Sequence, residues 1–230
     1  MVEKIVLGQE AAYTDQYAPS LLEPIPRSLA RDGLFPSATD ISKVFTGVDI
    51  WTAYELSWLD SGGKPCVAIA EFEFPCSSTA IVESKSFKYY LNSFNQTRVA
   101  SVQELESILA SDLAKVCGAP VVVRLYSLDA YRSAFQLEGE CVDSLSIEVD
   151  GYSTGDAALT VIGDTVSTFS IYSHLLKSNC PVTGQPDWAT VWLEYRGQEI
   201  CQESFLRYVI SFRQHQDFHE NCVEKIFTDI

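Results

Sequence analysis

Two nine-residue stretches, SFKYYLNSF at 86–94 and SFLRYVISF at 204–212, agree at five positions of nine at a constant offset of 118. An internal repeat constrains a fold more than any local propensity, because both copies must bury the same stripe by the same packing. The segments around the two stretches follow one order. From Asp49, DIWTAYELSWLDSGGKPCVAIAEFEFP reads as two strands joined at DSGGK, a β-hairpin. ESKSFKYYLNSFN then places Phe87, Tyr90, Leu91 and Phe94 on one helical stripe. SVQELESILASDLAKVCG is a second helix, with Ser101 and Glu104 forming a capping box and Gly118 a stop. PVVVRLY and CVDSLSIEVD add two strands, so the first half reads ββααββ. In the second half, VSTFSIYSHLLKSN and DWATVWLEYRG predict paired strands, and QESFLRYVISFRQH and DFHENCVEKIFTDI two helices.

The expected class is therefore α+β, with antiparallel sheets carrying helices on one face. The expected organisation is an extension at 1–48, a first unit at 49–150 and a second at 151–230. At the repeat offset, the strands near 120–126 and 141–149 would recur near 238 and 259, past Ile230. The second unit is thus expected to be truncated, lacking its last two strands and leaving an open sheet edge.

Charge narrows the partners. Sixteen Lys and Arg against 31 Asp and Glu leave −15, a field that repels a phosphate backbone and argues against nucleic acid. No run is apolar enough to span a membrane, and the first twenty residues lack a signal pattern. Seven cysteines, an odd number without close spacings, predict free thiols in a reducing cytoplasm. A small molecule is the expected partner. A small anion remains compatible with −15 only where cations and backbone N–H groups gather locally.

One loop stands apart. SNCPVTGQPDW at 178–188 sets Cys180 and Asp187 on the two limbs of a stretch stiffened by Pro181 and Pro186. Taken alone, Cys180 reads as a small packing residue and Asp187 as the start of the next strand, which leaves open why one stiff loop pairs a thiol with a carboxylate.

ESKSFKYYLNSFN, SNCPVTGQPDW and FHENC, in that order, with DQYAPSLLEPIPRSLARD and DIWTAYELSWL before them, resemble the long-chain 7-cyano-7-deazaguanine reductases, nitrile reductases of queuosine biosynthesis. The resemblance covers essentially the whole chain. It implies two tandem tunnelling-fold units of ββααββ and reduction of a nitrile to a primary amine with two molecules of NADPH. It implies a homodimer or higher homo-oligomer, no metal, Cys180 as the nucleophile forming a thioimide, and Asp187 as proton donor. It further implies that Glu83 and Glu220 bind the substrate ring, with Val82, Ser84 and His219 as lesser contacts, and that Ser84 and Lys85 contact NADPH. A carboxylate suits the adjacent N1–H and amine of a guanine-like ring. The free N–H groups at the start of the helix beyond Glu83 would complete an anion site. Glu83 alone also reads as a helix N-terminal acid. Long-chain members carry an Arg-Arg-Gly-Gly stretch that contacts NADPH, and residues 1–230 contain none.

Two other readings compete. Cys180, His219 and Cys222 could hold zinc, although no CxxC or HxxxH pair accompanies them. Cys222 sits at helical spacing from Phe218 and Ile226, as a core residue would. A non-catalytic module that binds deazaguanines or only dimerises is the second.

Overall fold

The computed structural model describes residues 14–36, 39–131, 137–155 and 157–230. Of the extension expected at 1–48, residues 1–13 and 37–38 lie outside them. The chain divides into two compact units, Met1–Ser133 and Ala134–Ile230.

The first unit opens with a three-residue strand β1 (Pro24–Pro26) and a single turn of helix α1 (Ser28–Arg31). The long hairpin β2 (Val48–Leu59) and β3 (Pro65–Pro75) follows, then β4 (Ala80–Val82), which pairs antiparallel with β1. Helices α2 (Ser84–Asn92) and α3 (Val102–Cys117) lead into β5 (Val122–Tyr126), which pairs antiparallel on β3. Along β3 the residues Ala68, Ala70, Phe72 and Phe74 are buried at every second position. That alternation lays one face of the hairpin on the helices. Phe87, Tyr90 and Phe94 of the helical stripe meet it, with Leu105, Leu109 and Leu113 of α3 in the same core. Each such side chain contributes about 1.5–3 kcal/mol of transfer free energy.

The caps of α3 follow from its sequence. Ser101 Oγ accepts from Glu104 N at 3.1 Å, and the Glu104 carboxylate accepts from Ala100 N at 2.8 Å. Gly118 ends the helix at φ +72°, where a Cβ would also meet Thr79 Oγ1 at 2.4 Å.

In the second unit a two-residue strand β6 (Glu140–Cys141) pairs parallel with β7 (Val161–Asn179), which pairs antiparallel with β8 (Pro186–Ile200). α4 (Gln202–Ser211), a 3-10 turn at Phe212–Gln214 and α5 (His219–Asp229) complete it. Ile171, Phe205, Leu206, Phe212, Cys222 and Ile226 belong to its separate core.

The repeat is realised in its bonds. Ser86 Oγ donates to Glu83 O at 2.7 Å and accepts from Glu23 N. Its counterpart Ser204 Oγ donates to Cys201 O at 2.8 Å and accepts from Thr160 N. Tyr90 and Phe94 stack edge to face at 5.4 Å, as do Tyr208 and Phe212. Each tyrosine hydroxyl donates to a buried or half-buried carboxylate on the following helix, Asp112 at 2.9 Å and Asp229 at 2.7 Å.

One expectation is corrected. CVDSLSIEVD alternates like a strand and is expected to finish the first sheet. Only its first residue, Cys141, lies in a strand, β6 (Glu140–Cys141), and that strand joins the second sheet in parallel. Val142 N donates to Tyr172 O, and Val142, fully buried, joins the second core with Leu145 and Ile147 packed against it. Alternation fixes which residues share a face and leaves open which strand they pair with. The parallel pair also departs from all-antiparallel sheets.

Candidate active site

The Cys180 loop is the tip of the β7–β8 hairpin. Register holds to Ser178↔Asp187 and Asn179↔Pro186, so the acid lies one pair behind the turn. Cys180 N donates to Gln185 O at 2.8 Å, and Gly184 N donates to Cys180 O at 2.9 Å. Gly184 makes this closure at φ +69°, in the left-handed region that favours glycine. The half-buried Cys180 sulfur faces the Thr183 hydroxyl and the N–H groups of Thr183 and Val182. Burial pushes its thiol up, those donors together outweigh burial, and the nearby Asp187 carboxylate pushes it up again. The net is a thiol below its ordinary value, hence a larger thiolate fraction at neutral pH.

Asn179, immediately before the cysteine, ties this tip to the chain entering α5. Its N–H donates to His215 O at 2.8 Å, and its carbonyl accepts from Asp217 N at 3.1 Å. Its side-chain amide donates to the Arg213 and His215 carbonyls and accepts from Lys177 Nζ. Asp217 Oδ1 in turn accepts from Phe218 N and Asn221 Nδ2, both at 2.8 Å, and so fixes the first turn of α5. Burial pushes the Asp217 carboxyl up, but the His215 ring 3.7 Å away and hydrogen bonds from Asn221 and Phe218 N hold it below the usual range.

His219 and Glu220 open α5, both half-buried. Behind them Cys222 is pushed up to about 12, by burial first and then by Asp217, Glu220 and Asp187, with the Ser178 hydroxyl opposing. Its thiol keeps its proton at neutral pH in the metal-free chain, which disfavours it as a nucleophile. The same interactions show that Asp187 and Glu220 share one neighbourhood around Cys222. Cys180, Asp187 and Glu220 are thus brought together within the second unit. A mostly apolar cavity of about 630 Å³ in the second unit is lined by residues that include His219, Cys222, Val191 and Ile226 but not Glu220. Cys180 and Asp187 do not line it.

Val82, Glu83, Ser84 and Lys85 lie in the first unit. Val82 is buried in β4 opposite Pro24. Glu83 caps α2: its carboxylate accepts from Lys85 N at 3.0 Å and from Ser86 N at 2.6 Å. The expectation of free N–H groups at this helix start is therefore corrected, since the cap takes two of them. What remains for an anionic cofactor is the exposed Ser84 hydroxyl and the exposed Lys85 ammonium, which sits 5.7 Å from the Tyr89 ring centre. A hydroxyl and a mobile ammonium fit a phosphate group of NADPH.

Thr183, Asn179 and Asp217 were not singled out by sequence. Thr183 had a signal, a hydroxyl three residues beyond a cysteine inside a tight turn. The other two are legible only once the hairpin and the α5 approach are seen to touch.

Comparison with known proteins identifies the family. Residues 13–125 match the family model described as nitrile reductase, 7-cyano-7-deazaguanine-reductase N-term, and residues 186–230 match the QueF-like protein family. A NADPH-dependent 7-cyano-7-deazaguanine reductase of Saccharophagus degradans is 56% identical over 229 residues, covering 100% of this chain and 84% of the relative. A protein of that name from Teredinibacter turnerae is 52% identical, over 98% of this chain and 80% of its own length. One from Colwellia psychrerythraea is 45% identical, over 100% and 82%. Identity this high over essentially the whole chain places it in the family of NADPH-dependent 7-cyano-7-deazaguanine reductases.

Proposed function

We propose that this chain reduces the nitrile of 7-cyano-7-deazaguanine to the primary amine through a covalent thioimide on Cys180. The observation that carries the reading is the low thiol of Cys180, held in a closed turn with Asp187 one residue pair behind it. A nitrile carbon is a weak electrophile that suits a soft thiolate. As the Cys180 sulfur bonds to that carbon, one C–N π bond opens and the electron pair moves to nitrogen. Asp187 takes the thiol proton and passes it to that nitrogen, so the adduct is a neutral C=N with charge conserved. Two molecules of NADPH, bound in turn, would each supply one hydride, and Ser84 and Lys85 would hold the cofactor. Between the two reductions the C–S bond breaks, so that Cys180 leaves as thiolate.

Glu220 and Glu83 are assigned to the ring's N1–H and amine, with Val82, Ser84 and His219 around it. Glu83 can do this without uncapping α2, because each carboxylate oxygen has a second lone pair. The two repeats are read as tunnelling-fold units acting in a homo-oligomer. All seven cysteines are free, which suits a reducing cytoplasm.

The test is intact-protein mass spectrometry with 7-cyano-7-deazaguanine and no NADPH. The full substrate mass should add to the protein, persist in Cys201→Ala and Cys222→Ala, and vanish in Cys180→Ala. An adduct that survives Cys180→Ala overturns the assignment.

A further inference from the structure

β6 runs parallel to β7 with Cys141 opposite Tyr172. Two residues further along each strand direction come Asp143 and His174, which therefore fall on the same stretch of the sheet edge. A thiol sulfur, a carboxylate oxygen and an imidazole nitrogen of Cys141, Asp143 and His174 lie within 4.8 Å of one another.

Two of the three are already oriented. Asp143 Oδ1 accepts from Ser173 Oγ at 2.6 Å, and Oδ2 accepts from His174 N at 3.0 Å. The His174 ring meets Thr190 Oγ1 through Nδ1 at 2.8 Å and stands edge-on to Tyr172. This wiring does not suit a Cys-His-Asp relay, in which the carboxylate would orient the imidazole. Here the carboxylate holds backbone and serine, the hydroxyl of Thr190 holds the imidazole, and the three groups converge on a common centre.

We propose that Cys141, Asp143 and His174 form a transition-metal site that takes Zn²⁺, with a fourth position open to water. One sulfur, one nitrogen and one oxygen donor match the borderline softness of zinc and disfavour Mg²⁺ or Ca²⁺, which take oxygen. Bonds of about 2.0–2.3 Å set neighbouring ligand atoms of a tetrahedral zinc about 3.5 Å apart. The ion therefore has to draw these groups in by roughly 1 Å, within the reach of side-chain rotation. Binding exchanges the Cys141 thiol proton, released to solvent, for the Zn–S bond. The site lies roughly 20 Å from Cys180, at six residues of strand, so its role is a staple for the two-residue β6 rather than part of the nitrile chemistry.

The experiment uses the full chain stripped with chelator, desalted, and titrated with Zn²⁺ alone and with Co²⁺ alone. One equivalent should bind, Co²⁺ should show a thiolate charge-transfer band, and the thermal midpoint should rise with Zn²⁺ concentration. Cys141→Ser, His174→Asn and Asp143→Asn should each weaken binding by at least about 10-fold, while Cys180→Ala retains the equivalent and the band. Thr190→Val, which leaves all three ligands in place, should weaken Zn²⁺ by about 10-fold through the freed imidazole. A cooperative thermal transition in each metal-free variant separates lost ligation from lost folding. No binding by the stripped chain, or binding lost in Cys180→Ala and kept in Cys141→Ser, overturns the proposal and leaves the nitrile chemistry untouched.

Discussion

At the residue scale, Cys180 is set by opposing neighbours. Thr183 and the Val182 and Thr183 N–H groups favour the thiolate, while burial and Asp187 oppose it. Two variants should therefore move the thiol in opposite directions. Thr183→Val removes a donor, so the pH profile of Cys180 alkylation by iodoacetamide should shift to higher pH. Asp187→Asn removes a negative charge, so that profile should shift to lower pH. The same Asp187→Asn change should slow nitrile reduction by about 10²-fold, the usual scale for a lost proton donor. A more reactive thiol in a slower enzyme is the signature that separates the two roles. If alkylation and turnover move together in Asp187→Asn, the carboxylate acts only through the thiol and is not the proton donor. The pairing of thiol and acid was legible in SNCPVTGQPDW because seven residues span one hairpin tip. The net effect on the thiol was not, since it depends on where Thr183 points.

At the element scale, the repeat was readable because Ser86 and Ser204, Tyr90 and Tyr208, and Phe94 and Phe212 bind the same way in each copy. What the copies do not share is where the chemistry sits. At the offset of 118, Glu83, the cap of α2, corresponds to Cys201, and Cys180 corresponds to Gly62 in the first hairpin turn. One unit keeps the carboxylate at its helix start and the other keeps the thiol at its hairpin tip. The two copies thus share a scaffold and differ in the chemical groups placed at equivalent positions. Local pattern could not show that 141–150 leaves the first sheet, nor that β1 pairs with β4, because a strand's partner is a long-range choice.

The tie between the second hairpin and α5 carries its own prediction. Asn179→Ala removes one of the donors on the Arg213 carbonyl and one on the His215 carbonyl, each of which keeps another, at a cost of about 0.5–1.5 kcal/mol. The turn bonds of Cys180 and Gly184 remain, so the alkylation profile should stay unchanged. Thioimide formation should slow, because His219 and Glu220 lose their register with the thiol. Urea midpoints and adduct rates measured side by side check this. A shifted alkylation profile, or an unchanged adduct rate, would show that Asn179 does not position α5 against the turn.

At the scale of the whole molecule, two separate cores support a strongly acidic surface, and charge then acts on the cofactor. A chain at −15 repels anionic NADPH at long range, and the Lys85 ammonium proposed to hold it would attract it only at contact. Salt acts on these unequally, because the Debye length falls from about 30 Å at 0.01 M to about 8 Å at 0.15 M. Repulsion summed over distant carboxylates is screened first, and a contact between ammonium and phosphate is screened least. The association rate of NADPH should therefore rise with ionic strength over that range, opposite to a site steered by a basic patch. Lys85→Gln should raise the dissociation rate while preserving the upward slope, since the distant field is unchanged. Stopped-flow fluorescence of NADPH at several salt concentrations measures both constants. An association rate that falls with salt would mean that positive charge beyond Lys85 governs the approach, and that the net charge of the chain does not describe the field at the site.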